Sequence, residues 1–163
     1  MEITIKMKKI SHIFIAASLA LIMVCITLAS CNKDNGDRQP LPPINITIDP
    51  NSTIYQELNI VGGWLYLYEE DGAEPPSRGI IVYRLSLDQF LAFERTPPFK
   101  PDSCCTAAET NCTKLVVDYP FIMDTCTVSK YLILDGSPVS GPSSMTLGMY
   151  VTEYYGDLLF IHN

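Results

Sequence analysis

Residues 93–142 read FERTPPFKPDSCCTAAETNCTKLVVDYPFIMDTCTVSKYLILDGSPVSGP, and the fold is decided there. Two loop-like segments, around Arg95–Phe99 and Asp124–Ser129, bracket a short run rich in β-formers. Gly141-Pro142 follows as a turn signal. Four of the six cysteines, Cys104, Cys105, Cys112 and Cys126, fall inside this stretch. On either side the chain alternates in period two, at Ile44, Ile46 and Ile48 and again at Leu147, Met149 and Val151. That period is the signature of half-buried strands. No segment downstream of residue 43 carries a long helical period. Many short strands with turn signals between them indicate an all-β domain.

The layout of the central stretch resembles the cluster-binding half of a Rieske-type iron–sulfur domain. The residues that carry the resemblance are Leu91-Ala92-Phe93-Glu94-Arg95-Thr96, Ser129-Lys130-Tyr131, Leu134-Asp135-Gly136-Ser137-Pro138, Gly141-Pro142-Ser143 and the closing hairpin. The resemblance implies antiparallel sheets with a small loop-rich tip subdomain. In that family one loop carries Cys-x-His, the other Cys-x-x-His, and a Gly-Pro-rich loop covers the cluster. The ligand positions it assigns here are Pro97, Phe99, Cys126 and Ser129. Three of those four are not ligands. The chain has two histidines, His12 near its start and His162 at its end. A Rieske centre needs two imidazoles on one iron, so the expectation is a cluster-free domain with no cofactor and no catalytic residue. An electron carrier with a noncanonical [2Fe–2S] cluster is the alternative. Phe99 is expected to fill the volume of the absent cluster, and Pro97 to stiffen the loop by fixing φ.

The N-terminus carries a second signal. Lys6, Lys8 and Lys9 precede an apolar run from Ile13 to Leu28. A basic region, an apolar core and small residues before a cut site describe a secretory signal peptide. Leu28-Ala29-Ser30-Cys31 resembles a bacterial lipobox, which implies cleavage before Cys31 and a lipid on that cysteine. Lys33 and Asp34 resemble a surface-export signal of Bacteroidetes lipoproteins. The competing reading is a spanning anchor, which needs about 20 apolar residues. The expected organisation is a signal peptide over 1–30, a lipidated cysteine and tether over 31–43, and a Rieske-like β domain over 44–163. Residues 32–43 hold Pro40, Pro42 and Pro43 with little to bury, as a tether should. The expected home is the bacterial cell envelope, on the outer membrane. The expected partners are the membrane itself, through the lipid, and an envelope protein.

Charge excludes one class of partner. The chain carries net charge −7, and removal of residues 1–30 takes Lys6, Lys8, Lys9 and Glu2 with it, giving −9. Nucleic-acid binding needs clustered Lys and Arg to neutralise phosphates, so none is expected.

With Cys25 removed and Cys31 acylated, the remaining cysteines are Cys104, Cys105, Cys112 and Cys126. An even count in an exported chain favours disulfides. Adjacent Cys104 and Cys105 are strained as a pair. Two pairings remain, each joining Cys112 and Cys126 to Cys104 and Cys105 one apiece; a lone Cys112–Cys126 bridge is a third arrangement. A four-thiolate zinc or [2Fe–2S] site is the sharper alternative, but the spacing lacks the paired C-x₂₋₄-C of such sites.

Smaller expectations complete the reading. Tyr55–Ile60 and Trp64–Tyr68 form a hairpin about Gly62-Gly63. Trp64, Leu65, Tyr66, Leu67 and Tyr68 are apolar on both faces and so read as a central strand, with a carbohydrate-stacking platform as a lesser use of the aromatics. Leu87–Phe90 reads as one helical turn after Ser86. Asp118 and Asp124 read as solvated turn carboxylates, and His162 as an exposed residue beyond the last strand. A ligand-binding surface lipoprotein is a further functional alternative.

Overall fold

The computed structural model describes residues 39–106 and 111–163. Cys31, the expected signal peptide and most of the expected tether lie outside the described residues. The rest is all-β, with ten antiparallel strands and two single-turn 3-10 segments. The strands are β1 (Asn45–Ile48), β2 (Trp64–Leu67), β3 (Ile80–Arg84), β4 (Phe90–Glu94), β5 (Val116–Asp118), β6 (Phe121–Asp124), β7 (Ser129–Leu132), β8 (Pro138–Ser140), β9 (Met149–Tyr155) and β10 (Leu158–His162). They form a six-stranded sheet, β1-β10-β9-β4-β3-β2, and a four-stranded sheet, β5-β6-β7-β8.

The six-stranded sheet folds back on itself. Ile44, Ile46 and Ile48 from one end share a core with Leu67, Ile80 and Val82 from the other. The long strand β9 makes the bend. Met149 and Tyr150 pair with β4, while Val151–Tyr155 pair with β10. On the opposite face of β2–β4, Ile81, Tyr83 and Phe93 pack against Leu115, Ile122, Tyr131 and Ile133 of the smaller sheet and its loops. All five residues of β3 are therefore buried, odd and even alike, as the continuous run Gly79–Leu85 implied.

The same arrangement corrects the reading of β2. Its two apolar faces are real: Leu65 and Leu67 meet one core, Trp64 and Tyr66 the other. Yet β2 is the outermost strand of its sheet. Apolar pattern reports what covers a strand's faces, not what pairs with its edges. Residues 55–60 are also not a strand. Gln56–Asn59 form a 3-10 turn that buries Leu58, and Gly62 donates to the Arg84 carbonyl across to β3. Leu87–Phe90 is not helical. Leu85 and Ser86 both donate to the Gln89 carbonyl, making a tight β3–β4 hairpin whose Ser86 hydroxyl bonds Asp88. His162 lies within β10, opposite Asn45 and Val151. Leu41 and Pro42, expected in the tether, pack on the body, and the Asn163 amide donates to both their carbonyls.

Candidate functional site

The smaller sheet and its loops form the tip, where the two expected loops meet. Cys104 is bonded to Cys126 across 22 residues, and Cys105 to Cys112 across 7. This is one of the two pairings left open by the sequence. Cys104–Cys126 ties the long β4–β5 loop to the β6–β7 loop. Cys105–Cys112 closes a ring inside the first.

Arg78 organises the long loop from outside it. Its guanidinium donates to the carbonyls of Pro101 (2.8 Å) and Thr113 (3.1 Å) and pairs with Asp102 at 2.7 Å. Asp102, Cys105 and Cys112 bring one oxygen and two sulfurs within 4.8 Å of one another. Both sulfurs are committed to each other, and Arg78 neutralises the carboxylate. Metals bind the thiolate, so this trio does not fit a cation.

Each expected loop has a buried carboxylate at its base. Glu94, the last residue of β4, is 3% exposed. It accepts from Thr96 Oγ1 (2.7 Å) and the Thr96 N–H (2.9 Å), from the Arg78 N–H (3.0 Å), from Ser77 Oγ (2.7 Å) and from Tyr150 Oη (2.8 Å). Burial, then the Glu94 charge and hydrogen bond, push the Tyr150 hydroxyl far above its ordinary pKa. Asp124, the last residue of β6, is 0% exposed. It accepts from Thr127 Oγ1 (2.5 Å) and the Cys126 N–H (2.9 Å). The expectation of a solvated Asp124 is thus overturned, because the loop that follows turns back and closes on both its carboxylate oxygens. Asp118 is exposed, as read.

Thr127 continues to Ser129 Oγ at 2.9 Å, and Ser129 Oγ accepts from the Ser143 N–H. The Gly141 turn therefore lies on the second loop. Gly141 has φ +97°, and a Cβ there would sit 2.5 Å from the Ser129 Cα, so backbone meets backbone only because the side chain is missing. Beneath it Tyr131 is fully buried. Its hydroxyl faces Ser143 and Ser129 without reaching hydrogen-bond geometry with either, and burial raises its pKa.

Of the assigned ligand positions, Pro97 and Ser129 are buried and Phe99 and Cys126 half-buried. Cys126 is a disulfide sulfur and Ser129 a link in a hydroxyl chain. The residues missed from sequence are Glu94, Thr96, Asp124 and Thr127. Their spacings, Glu94-x-Thr96 and Asp124-x-x-Thr127, match the x and xx intervals of the two ligand pairs. That match was the available signal. Beside the first pair lies a cleft of about 520 Å³, walled by Glu94, Thr96, Pro97, Pro98, Leu147 and Met149. Neither Phe99 nor Cys126 lines it.

The junction between sheet and tip is aromatic. The Arg95 guanidinium stacks on the Tyr66 ring at 3.8 Å, its Nε donates to the Leu115 carbonyl, and Tyr66 Oη accepts from the Val117 N–H. Tyr66 is thereby used internally rather than offered for stacking.

No protein-family model matches this chain, and no curated protein matches it. Among solved structures it is similar to a chain described as "Complex of reduced oxygenase and oxidized ferredoxin in carbazole 1,9a-dioxygenase". The identity is 16% over 74% of this chain and 92% of that one, with a TM-score of 0.42.

Proposed function

We propose that this chain is a lipid-anchored envelope protein whose β domain keeps a Rieske-like framework without a cluster and serves as a structural or interaction module, not an enzyme. The observation that carries the reading is the state of the two loops. Where the family would place two thiolates and two imidazoles, this chain has Pro97, Phe99, the disulfide sulfur of Cys126 and the Ser129 hydroxyl, and the carboxylate–hydroxyl pairs Glu94–Thr96 and Asp124–Thr127 beside them satisfy each other. Those donors do not fit an iron–sulfur cluster, which is held by thiolates with imidazoles replacing one pair in Rieske centres. The only histidine among the described residues, His162, is on β10 and faces Glu153 at 4.0 Å. A sulfur–sulfur bond and buried hydrogen bonds hold together the loops that a metal cluster would otherwise order. The lipid at Cys31 supplies the membrane attachment. Several acyl chains on one cysteine anchor stably where one chain does not.

The test has two arms. Anaerobically purified protein is assayed for iron, for visible charge-transfer bands and for free thiols before and after reductant. The expected result is no stoichiometric iron, no such bands, and thiols only after reduction. About two irons per chain with charge-transfer absorption would refute the cluster-free reading. Separately, labelled palmitate is expected on the wild-type chain and absent from Cys31→Ser; label retained by that variant would refute the anchoring site.

A further inference from the structure

The outer edge of β2 carries no proline or lysine, and the Gly62-Gly63 bulge and the 3-10 turn packed on Gly63 stand only at its start. Free strand edges are templates for further pairing, and proteins blunt them with proline, lysine, bulges or a covering segment. Three of the four sheet edges follow that rule. Pro43 and Pro50 flank β1, Pro120 closely follows β5, and β8 begins at Pro138. From Gly62 to Glu69, around β2, there is no proline, lysine or arginine.

The outward groups can be identified from the ladder. Arg84 donates to the Gly63 carbonyl and accepts from the Gly62 N–H, so the hydrogen-bonded positions of the ladder begin at Arg84, through a bulge at Gly62-Gly63. Alternation then makes Leu65–Val82 and Leu67–Ile80 the next ones. The N–H and C=O groups of Trp64 and Tyr66 point away from β3, and no strand among the described residues pairs with that side. A groove of about 710 Å³ runs along it, bordered by Ile54, Ile60, Trp64 and Tyr68. Ile54 is 78% exposed and Ile60 68%. The charged residues that line it are Glu57 and Asp71, and none of its lining residues is basic. Glu69 and Glu70 stand next to it, exposed.

We propose that this groove accepts an extended segment of another protein, alternating apolar and basic side chains, added to the sheet as a seventh strand beside β2. Strand addition takes affinity from main-chain hydrogen bonds and specificity from the alternate side chains. The apolar rim takes one row of side chains, and the carboxylates take the other. A second copy of this chain is disfavoured, since pairing β2 with β2 would oppose two acidic rims. The inference gives the interaction-module reading its surface. Iron content and peptide binding are separate readouts, so either can fail alone.

Trp64 is the only tryptophan in the chain and lies on the strand in question, so its fluorescence reports docking. The full chain is titrated with a peptide of alternating valine and lysine and with its valine–glutamate counterpart. Saturable change is expected with the lysine peptide, at least about tenfold tighter than with the glutamate peptide. Ile60→Lys, an exposed site, is expected to weaken it about tenfold or more by placing a gatekeeper charge on the rim, with unchanged unfolding. Equal response to both peptides, no response to either, or unchanged binding by the Ile60→Lys variant would overturn the proposal. So would a concentration-dependent dimer abolished by Ile60→Lys, which would assign the edge to a second copy.

Discussion

Removing the Cys104–Cys126 bond gives the sharpest test of how the tip is held. A disulfide constrains the unfolded chain, and in the loop-entropy treatment the effect grows with the logarithm of the loop closed. For the 22-residue separation of Cys104 and Cys126 the relation gives about 3.4 kcal/mol at 25 °C. For the 7-residue separation of Cys105 and Cys112 it gives about 2.3 kcal/mol. The paired variants Cys104→Ala with Cys126→Ala, and Cys105→Ala with Cys112→Ala, are compared by urea unfolding. With a slope of about 1.5 kcal/mol/M, the first should lower the midpoint by roughly 2 M and the second by roughly 1.5 M. The order matters more than either value. Cys104–Cys126 also fixes the loop whose Cys126 N–H bonds the buried Asp124, so its loss loosens that carboxylate's partner as well. The reasoning fails if the inner ring proves the more costly to break, or if neither variant moves the midpoint.

Further outcomes are expected at the buried polar groups and at Gly141. Glu94→Ala strands the Tyr150 and Ser77 hydroxyls and the Thr96 and Arg78 amides; at about 1–3 kcal/mol per orphaned buried group, calorimetry should find a loss at least matching the outer disulfide, and Glu94→Gln a smaller one. Asp124→Ala should cost about 2 kcal/mol through the Thr127 hydroxyl and Cys126 amide, whereas Tyr131→Phe, which removes an unpartnered buried hydroxyl, should be neutral or stabilising by up to about 1 kcal/mol; a clear loss in denaturant melts would contradict that account of Tyr131. Tyr150 is held protonated in the folded state above the ordinary tyrosine range, so above about pH 10 the unfolded chain loses a proton that the native one keeps. Its contribution is whole below that pH and falls by about 1.4 kcal/mol per pH unit above it; Tyr150→Phe should flatten the alkaline limb of stability against pH. Gly141→Ala should cost about 2 kcal/mol or more, from positive φ and contact with the Ser129 backbone, and amide exchange at Val128–Ser129 should quicken.

The period-two runs made the β class legible, and in β1 the alternating isoleucines are the buried row; in β9 the strand is where alternation put it but the faces are reversed, with Met149 and Val151 exposed and Tyr150 buried. The even cysteine count with an adjacent pair narrowed the bridges to a short choice, and only the fold of the 22-residue segment could make it. The position of β2 was not legible. Its residues record that both faces are covered, and they would read the same at the centre of a sheet or at its margin. Asp124 was misread for a related reason: an aspartate beside a turn is normally solvated, and here the turn that follows folds back so that Cys126 and Thr127 bond its carboxylate, a closure that composition does not display. Tyr55–Ile60 has strand-like composition, but Leu58 had a core to enter, and a single 3-10 turn delivers it there. At the loops, composition drew attention to the unusual Pro97 and Phe99. The working groups, Glu94 and Thr96, sit three residues earlier as ordinary polar side chains, whose importance comes from burial that the sequence does not display.

Strand β1 is aligned with β10, Asn45 opposite His162 and Ile48 opposite Leu159. A ribosome making this chain delivers those partners more than a hundred residues apart. The isoleucines of β1 can meet Leu67, Ile80 and Val82 early, but the backbone of β1 gains its pairing partner only when the final strand is made, and long-range pairing of this kind slows folding. The two ends of the folded domain are thereby stitched to each other, and the seam between its first and last strands is one that no partial chain can close.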